Sequence, residues 1–170
     1  MTTNFKIYVA NLAKYNEGIL KGEWLELPMD TDDLQEALDG ILGEDEEYAV
    51  HDYDNDLGYK VGEYDSVWEL NDLAERLETN VDFTTVIEAY LECMDNDIDE
   101  ALECVEGWNY SIYHGCDNET DLGYYIVDEG LFGVDIPEEL KNYIDYEAIG
   151  RDFLIETIGC FMDGDYISFY

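Results

Sequence analysis

The sequence predicts an α+β fold, built as an elongated series of three small units. Runs rich in β-branched and aromatic residues lie near both ends of the chain, whereas the middle carries apolar residues at helical spacing. Hydrophobic residues occupy 46% of the 170 positions, which is enough to bury a core although 30% are charged. We expect a first α+β unit at 1–64, a short helical bundle at 65–107 and a second α+β unit at 108–170.

The first unit is predicted to combine three strands with one helix. Its strands are expected at 5–12, 23–27 and 46–52. Before the last of these, apolar residues at helical spacing predict a helix over 32–42, with Thr31 as its N-cap. The polar run at 52–62 is expected to form the boundary of the unit.

Three short amphipathic helices are predicted in the central unit. The first begins at Ser66, which forms a capping box with Glu69, and the others begin near Asp82 and Asp97. Apolar residues recur every three or four positions, so each helix has one inward face. The inward residues are expected to be Val67, Leu70, Leu73, Ala74, Leu77, Phe83, Val86, Ile87, Tyr90, Leu91, Met94, Ile98, Ala101, Leu102 and Val105.

The third unit is predicted to return to mixed structure. Strand character is found at 108–114 and again in a hairpin over 161–170 that contains an Asp-Gly turn. Apolar periodicity predicts a helix over 120–129. A proline that suits the first turn of a helix predicts another over about 137–150.

Net charge is the most unusual property of the chain. Forty-four acidic residues stand against seven basic ones, which gives −37. From Leu77 to Glu139 the sequence contains eighteen carboxylates and no Lys or Arg. Folded surfaces normally intersperse both signs, and self-repulsion on this scale destabilises a compact state. Binding to nucleic acid or to anionic membranes is disfavoured, because both require clustered basic side chains.

Known catalytic and metal-binding patterns are missing from the sequence. The nearest approach is a calcium-loop spacing from Asp95 to Glu106, in which Glu100 replaces the glycine that the sharp turn needs. The two histidines have no apparent partners for a four-ligand zinc site. The four cysteines form no CxxC pair, and no signal peptide is recognisable, so we expect a cytoplasmic protein with reduced thiols. We expect no catalytic residue, metal or cofactor.

The predicted outward faces of the second and third central helices carry columns of carboxylates. Acidic residues recur there at spacings of four and then three: they are Glu88, Glu92 and Asp95, followed by Asp99, Glu103 and Glu106. Like charges at these spacings lie about 5–6 Å apart and cost about 0.2–0.5 kcal/mol per pair. A helix selected for stability alone would carry Lys or Arg at some of these positions.

This charge pattern suggests a partner that normally binds DNA. Duplex DNA carries one negative charge per about 1.7 Å of its axis, so forty-four carboxylates match the phosphates of about 22 base pairs. The acids expected to contact the partner are Glu88, Glu92, Asp95, Asp99, Glu103, Glu106, Asp117, Glu119, Asp121, Asp128 and Glu129. The alternative is an acidic cation-binding or salt-adapted structural protein, and a small acid-catalysing hydrolase is a third hypothesis.

Three stretches of the sequence resemble the ArdA family of antirestriction proteins. They are Tyr8–Gly18 (YVANLAKYNEG), Glu47–Asp54 (EYAVHDYD) and Leu140–Asp152 (LKNYIDYEAIGRD), and the last resembles the family's antirestriction motif. The resemblance implies an elongated, homodimeric DNA mimic encoded on mobile genetic elements. It also implies that the protein occupies the DNA-binding groove of type I restriction–modification enzymes and so protects incoming DNA from cleavage.

The residues of this motif also suggest how two copies could associate. Leu140, Tyr143 and Ile144 are expected on one face of the predicted helix, near the basic residues Lys141 and Arg151. Two copies with a charge of −37 each repel one another, so their interface must be locally depleted of negative charge. We therefore predict a dimer contact here; the alternative is that the helix belongs to the core of the third unit. The motif and predicted contact comprise Leu140, Tyr143, Ile144, Asp145, Tyr146, Glu147, Ile149, Gly150, Arg151 and Asp152.

Overall fold

The computed structural model describes residues 4–94, 97–131, 133 and 135–170. Within these residues it confirms the α+β fold, because helices are combined with two small antiparallel sheets. The chain divides into two compact units that meet between Thr84 and Thr85. The division into three units, with boundaries after 64 and after 107, stays a prediction.

The first unit is organised around a three-stranded antiparallel sheet. In spatial order its strands are β2 (Gly22–Glu26), β1 (Phe5–Asn11) and β3 (Tyr48–Asn55). Phe5, Ile7 and Val9 of the central strand are buried, which is the period of two expected for a strand with one face in the core. The three predicted strands are confirmed, although β3 runs three residues further because it pairs with β1 as far as Asn55.

The helices of the first unit are α1 (Leu12–Asn16), α2 (Thr31–Leu42) and α3 (Val67–Thr79), and a single 3-10 turn follows at Val81–Phe83. The predicted cap of α3 is confirmed, because the Ser66 hydroxyl accepts a hydrogen bond from the backbone N–H of Glu69. Helix α2 begins one residue earlier than predicted. Asp30, not Thr31, is its N-cap and accepts a hydrogen bond from the backbone N–H of Asp32 at 3.0 Å.

Asn11 joins these elements at the end of β1. Its side chain is fully buried, and its amide nitrogen lies 3.0–3.2 Å from the Ile41 and Leu42 carbonyl oxygens and from an Asp45 carboxylate oxygen. Its amide oxygen accepts a hydrogen bond from the backbone N–H of Lys14. Buried polar groups need such partners, so Asn11 fastens β1 to the start of α1 and the end of α2.

The second unit packs helices against another antiparallel sheet, ordered β4 (Tyr110–His114), β6 (Asp165–Phe169) and β5 (Ile158–Met162). Helix α4 (Thr84–Cys93) leads into the unit, followed by α5 (Ile98–Glu106), α6 (Glu119–Asp128), α7 (Glu138–Lys141) and α8 (Tyr146–Glu156). The predicted Asp-Gly turn is confirmed, because Asp163 and Gly164 both have positive φ, 51° and 88°. Among the described residues, none of the helices has the length and apolar character that crossing a membrane requires.

Helices α4 and α5 agree with the sequence prediction to different degrees. In α5 the predicted cap Asp97 is confirmed, and the four predicted inward residues are buried. Helix α4 begins at Thr84 rather than near Asp82, because the 3-10 turn occupies the preceding residues. Met94 was predicted to face inward, but it is 39% exposed, because α4 ends at Cys93 before Met94 can continue the buried stripe.

The single helix predicted over 137–150 is wrong, since α7 and α8 are separate. The Asp145 carboxylate accepts a hydrogen bond from the backbone N–H of Ala148 at 3.0 Å and so starts a new helix. The Tyr146 hydroxyl donates to the carbonyl oxygen of Lys141 at 3.0 Å, which satisfies a backbone acceptor at the end of α7. A side-chain cap therefore overrides the continuous apolar periodicity.

Candidate partner-binding surface

Helix α5 presents a column of exposed carboxylates. Asp97 accepts hydrogen bonds from the backbone N–H groups of Asp99 and Glu100 at 3.0 and 3.1 Å, which fixes the first turn. The apolar side of the helix is buried, so Asp99, Glu103 and Glu106 lie on the opposite side, and all three are exposed. The structure thus places this predicted column at the surface of the second unit.

Helix α4 contributes a less complete set of acids. Glu92 is exposed, whereas Glu88 is half-buried. Asp95, the third member of the predicted column, lies outside the described residues. The described part of this column therefore contains one exposed carboxylate, that of Glu92.

The acids around α6 differ in their accessibility. Asp117 and Glu129 are exposed at either end of the helix, whereas Glu119 and Asp121 are half-buried in its first turn. The Asn118 side chain caps this turn and also donates to the Asp121 carboxylate at 2.6 Å. Asp121 thus helps to stabilise the start of α6 and also contributes to the negative charge of the surface.

Lys141 lies beside the last predicted acid of α6. Its ammonium nitrogen is 3.1 Å from an Asp128 carboxylate oxygen and 3.3 Å from one of Glu138. Hydrogen bonds to Asp128 and then to Glu138 raise the pKa of Lys141 above its ordinary value. The lysine therefore stays charged and offsets part of the negative charge of Asp128.

The antirestriction-like motif contains both exposed and packed residues. Its exposed members are Leu140, Tyr143, Asp145, Glu147, Arg151 and Asp152. Leu140 and Tyr143 are 54% and 86% exposed, and Ile144 is half-buried. The common helix face predicted for these three residues does not form, because α7 ends at Lys141. They instead follow one another through the end of α7 and the connection to α8.

The other residues of the motif hold α8 in place. Asp145 caps the helix, and the Tyr146 ring stacks on Tyr124 of α6 with their centroids 3.8 Å apart. Ile149 packs against the buried core of the second unit, which is formed by Cys116, Leu122, Ile126 and Tyr166. These residues therefore fit the alternative to a dimer contact, in which the helix of the motif belongs to a core.

A backbone-to-backbone crossing of α6 and α8 was missed by sequence reasoning. Gly123 of α6 faces the carbonyl of Tyr146, and Gly150 of α8 faces the carbonyl of Glu119. A Cβ atom at either glycine would lie far inside the 3.0 Å that real Cβ atoms keep from their neighbours. The available signal was an isolated glycine within each of two helical patterns, which usually has a packing reason.

A matching column of acids in the first unit was also missed. Asp32, Glu36 and Asp39 of α2 recur at spacings of four and three, and all three are exposed. The apolar residues Leu34 and Leu38 are buried on the other side of the helix. The spacing is visible in the sequence, but it lies outside the stretch from Leu77 to Glu139 that contains no Lys or Arg.

The two histidines make structural contacts. The Nδ1 atom of His114 is 2.9 Å from one carboxylate oxygen of Asp165, and the other oxygen accepts a hydrogen bond from the backbone N–H of Gly115 at 2.8 Å. The ring of His51 meets that of Tyr15 edge-on, with 4.6 Å between centroids. Across the described part of the chain, no three His, Cys, Asp or Glu side chains are grouped so that they could hold a metal ion.

Comparison with protein families shows to which family the chain belongs. The model of a family described as antirestriction protein (ArdA) matches residues 7–168, which is nearly the whole sequence. The chain belongs to the ArdA antirestriction family. Its membership confirms the resemblance of the three stretches, and it implies an antirestriction function that involves restriction enzymes. ArdA proteins are inhibitors and not known enzymes. None of the curated proteins matches the chain.

Proposed function

We propose that this ArdA-family protein is a DNA mimic that occupies the DNA-binding groove of a type I restriction–modification enzyme. By filling the groove it blocks the action of the enzyme on incoming DNA in the cytoplasm, without catalysis of its own. The observation that carries the proposal is the exposed column Asp99, Glu103 and Glu106, which lies in a stretch of sequence without Lys or Arg.

Electrostatics explains why such a surface suits a groove built for DNA. A DNA-binding groove offers clustered basic side chains, and neutralising them releases the counterions of both partners. The acids of α5 are held in place before binding, because Asp97 caps the helix and its inner face is buried. Little ordering is then needed when the complex forms, which favours affinity.

The proposal is tested by titrating the protein into a type I methyltransferase that already holds fluorescent DNA. We expect the DNA to be released as the protein saturates the enzyme. A salt-adapted or cation-binding structural protein would behave differently. Calcium or molar salt would raise its unfolding temperature strongly, and the DNA would stay bound at every protein concentration.

We further propose that the protein is a homodimer and that the start of the antirestriction-like motif lies at the contact. Tyr143 and Leu140 are large apolar side chains that are exposed to solvent. Lys141 and Arg151 are the basic residues that follow Arg76, so positive charge returns to the sequence in this region. Basic side chains near a contact reduce the repulsion between two highly acidic copies.

Substituting Tyr143 by Asp should convert the dimer to a folded monomer. A new carboxylate in the contact adds repulsion and removes a large aromatic side chain, so we expect the dimer dissociation constant to rise at least about tenfold. Tyr64→Asp is the matched control, because Tyr64 is also highly exposed but lies in the first unit. Sedimentation velocity measures both variants, and a dimer that survives Tyr143→Asp at wild-type concentrations would contradict the contact.

A further inference from the structure

The second unit contains a cavity of about 360 Å³ between α4, α5 and the strands β5 and β6. Its lining joins aromatic and aliphatic side chains to two carboxylates, those of Glu100 and Glu103. Its volume lies at the lower end of the range for ligand pockets in proteins, which is about 300–1,000 Å³. The size suits a single long side chain or a comparably small group.

Two aromatic rings line the inner part of the cavity. Tyr90 and Phe169 are both buried, and their rings meet edge-on with centroids 5.1 Å apart. The Tyr90 hydroxyl donates a hydrogen bond to a Glu100 carboxylate oxygen at 3.3 Å. This hydrogen bond holds the Glu100 carboxylate beside the ring of Tyr90.

Large apolar side chains form the rim. Met94 is exposed, and Ile158 at the start of β5 is 58% exposed. The two carboxylates of the lining, Glu100 and Glu103, belong to exposed residues. Exposed apolar side chains and aromatic rings thus lie beside acidic side chains, and apolar surface bordered by polar groups is typical of interaction sites.

We infer that this cavity receives the side chain of one arginine from the partner protein. The inference rests on the proposed function. It adds to the distributed electrostatic contact with the enzyme one site that recognises a particular side chain. The aliphatic stem of the arginine packs on Met94 and Ile158. Its planar guanidinium group faces the aromatic rings and donates hydrogen bonds to Glu100 and Glu103.

Charge complementarity selects this occupant over other groups. An anion would be repelled by the two carboxylates, and a purely apolar group would remove water from them without replacing its hydrogen bonds. A lysine offers a compact, strongly hydrated ammonium that neither stacks on a ring nor forms paired hydrogen bonds. Arginine is also enriched among the residues that dominate binding energy at interfaces.

The double variant Met94→Gln with Ile158→Thr tests the inference without changing the net charge. We expect the dissociation constant for DNA-free type I methyltransferase to rise about tenfold at every salt concentration. The slope of log Kd against log salt should stay unchanged, because apolar contacts are not screened by salt. Ile19→Thr with Leu20→Gln is the matched control, since both residues are exposed apolar side chains of the first unit. An unchanged dissociation constant in the cavity variant, with circular dichroism showing it folded, overturns the inference.

A second arm separates this inference from the proposed function. The full-length protein is titrated with a blocked Gly-Arg-Gly peptide and with the same peptide carrying neutral citrulline. We expect methyl NMR signals of Met94 and Ile158 to shift with the arginine peptide only. If these shifts occur while the protein fails to displace DNA, the proposed function is wrong and the cavity assignment stands. If DNA is displaced but neither peptide, or both equally, shifts the signals, the cavity assignment is wrong.

Discussion

Replacing Gly150 by alanine should destabilise the second unit by about 3 kcal/mol or more. The added methyl group would overlap the backbone carbonyl of Glu119, and no side-chain rotation can relieve a clash with backbone. Helix α8 must then move away from α6, which disturbs the stacking of Tyr146 on Tyr124. Separating the two helices would also displace the acids at the start of α6.

Gly40→Ala is the control for the Gly150 substitution. Gly40 also lies within a helix, α2, but nothing is within 4 Å of the position that its Cβ would take. Alanine favours helix more than glycine, so we expect this variant to gain up to about 1 kcal/mol. Urea unfolding followed by circular dichroism measures both changes. A Gly150→Ala variant as stable as Gly40→Ala would contradict the described crossing of α6 and α8.

Reversing the charge of the whole α5 column should weaken inhibition by at least about tenfold. The triple variant Asp99→Lys, Glu103→Lys and Glu106→Lys changes the net charge from −37 to −31, since each substitution adds two units. We expect the concentration needed to displace DNA from a type I methyltransferase to rise, because three attractive contacts become repulsive. Single substitutions should have small effects, because the proposed contact is distributed over many acids.

The first unit provides a closely matched control for this variant. Asp32, Glu36 and Asp39 of α2 have the same spacing and exposure, and Asp30 caps α2 as Asp97 caps α5. Reversing these three acids also gives −31 and places a lysine in the first turn of a helix, so it carries the same penalty against the helix dipole. If both triple variants lose inhibition equally, the total charge matters and the α5 column is not a special contact.

Local patterns predicted much of the fold. The caps Ser66 and Asp97 and the buried faces of α3 and α5 follow from residues within one or two turns of helix, so periodicity alone located them. The Asp-Gly turn of the β5–β6 hairpin is likewise encoded by two adjacent residues. In each case the physical cause and the structural result lie close together in the sequence.

The features that were missed depend on contacts between distant residues. The glycine crossing joins Gly123 to Tyr146, and Asn11 binds groups thirty or more residues away. The break between α7 and α8 arises because the Asp145 cap outweighs an apolar periodicity that continues through it. For the surface, acid spacing predicted the exposed column of α5, but it did not indicate that Lys141 would pair with Asp128.

The salt dependence of DNA displacement tests the proposed mimicry most directly. The inhibition constant of the protein against a type I methyltransferase holding fluorescent DNA should be measured over a series of salt concentrations. We expect the protein to displace the DNA completely, and we expect log of the inhibition constant to rise linearly with log salt concentration, as it does for DNA itself. DNA that stays bound at low salt, or an inhibition constant that does not change with salt, would contradict DNA mimicry.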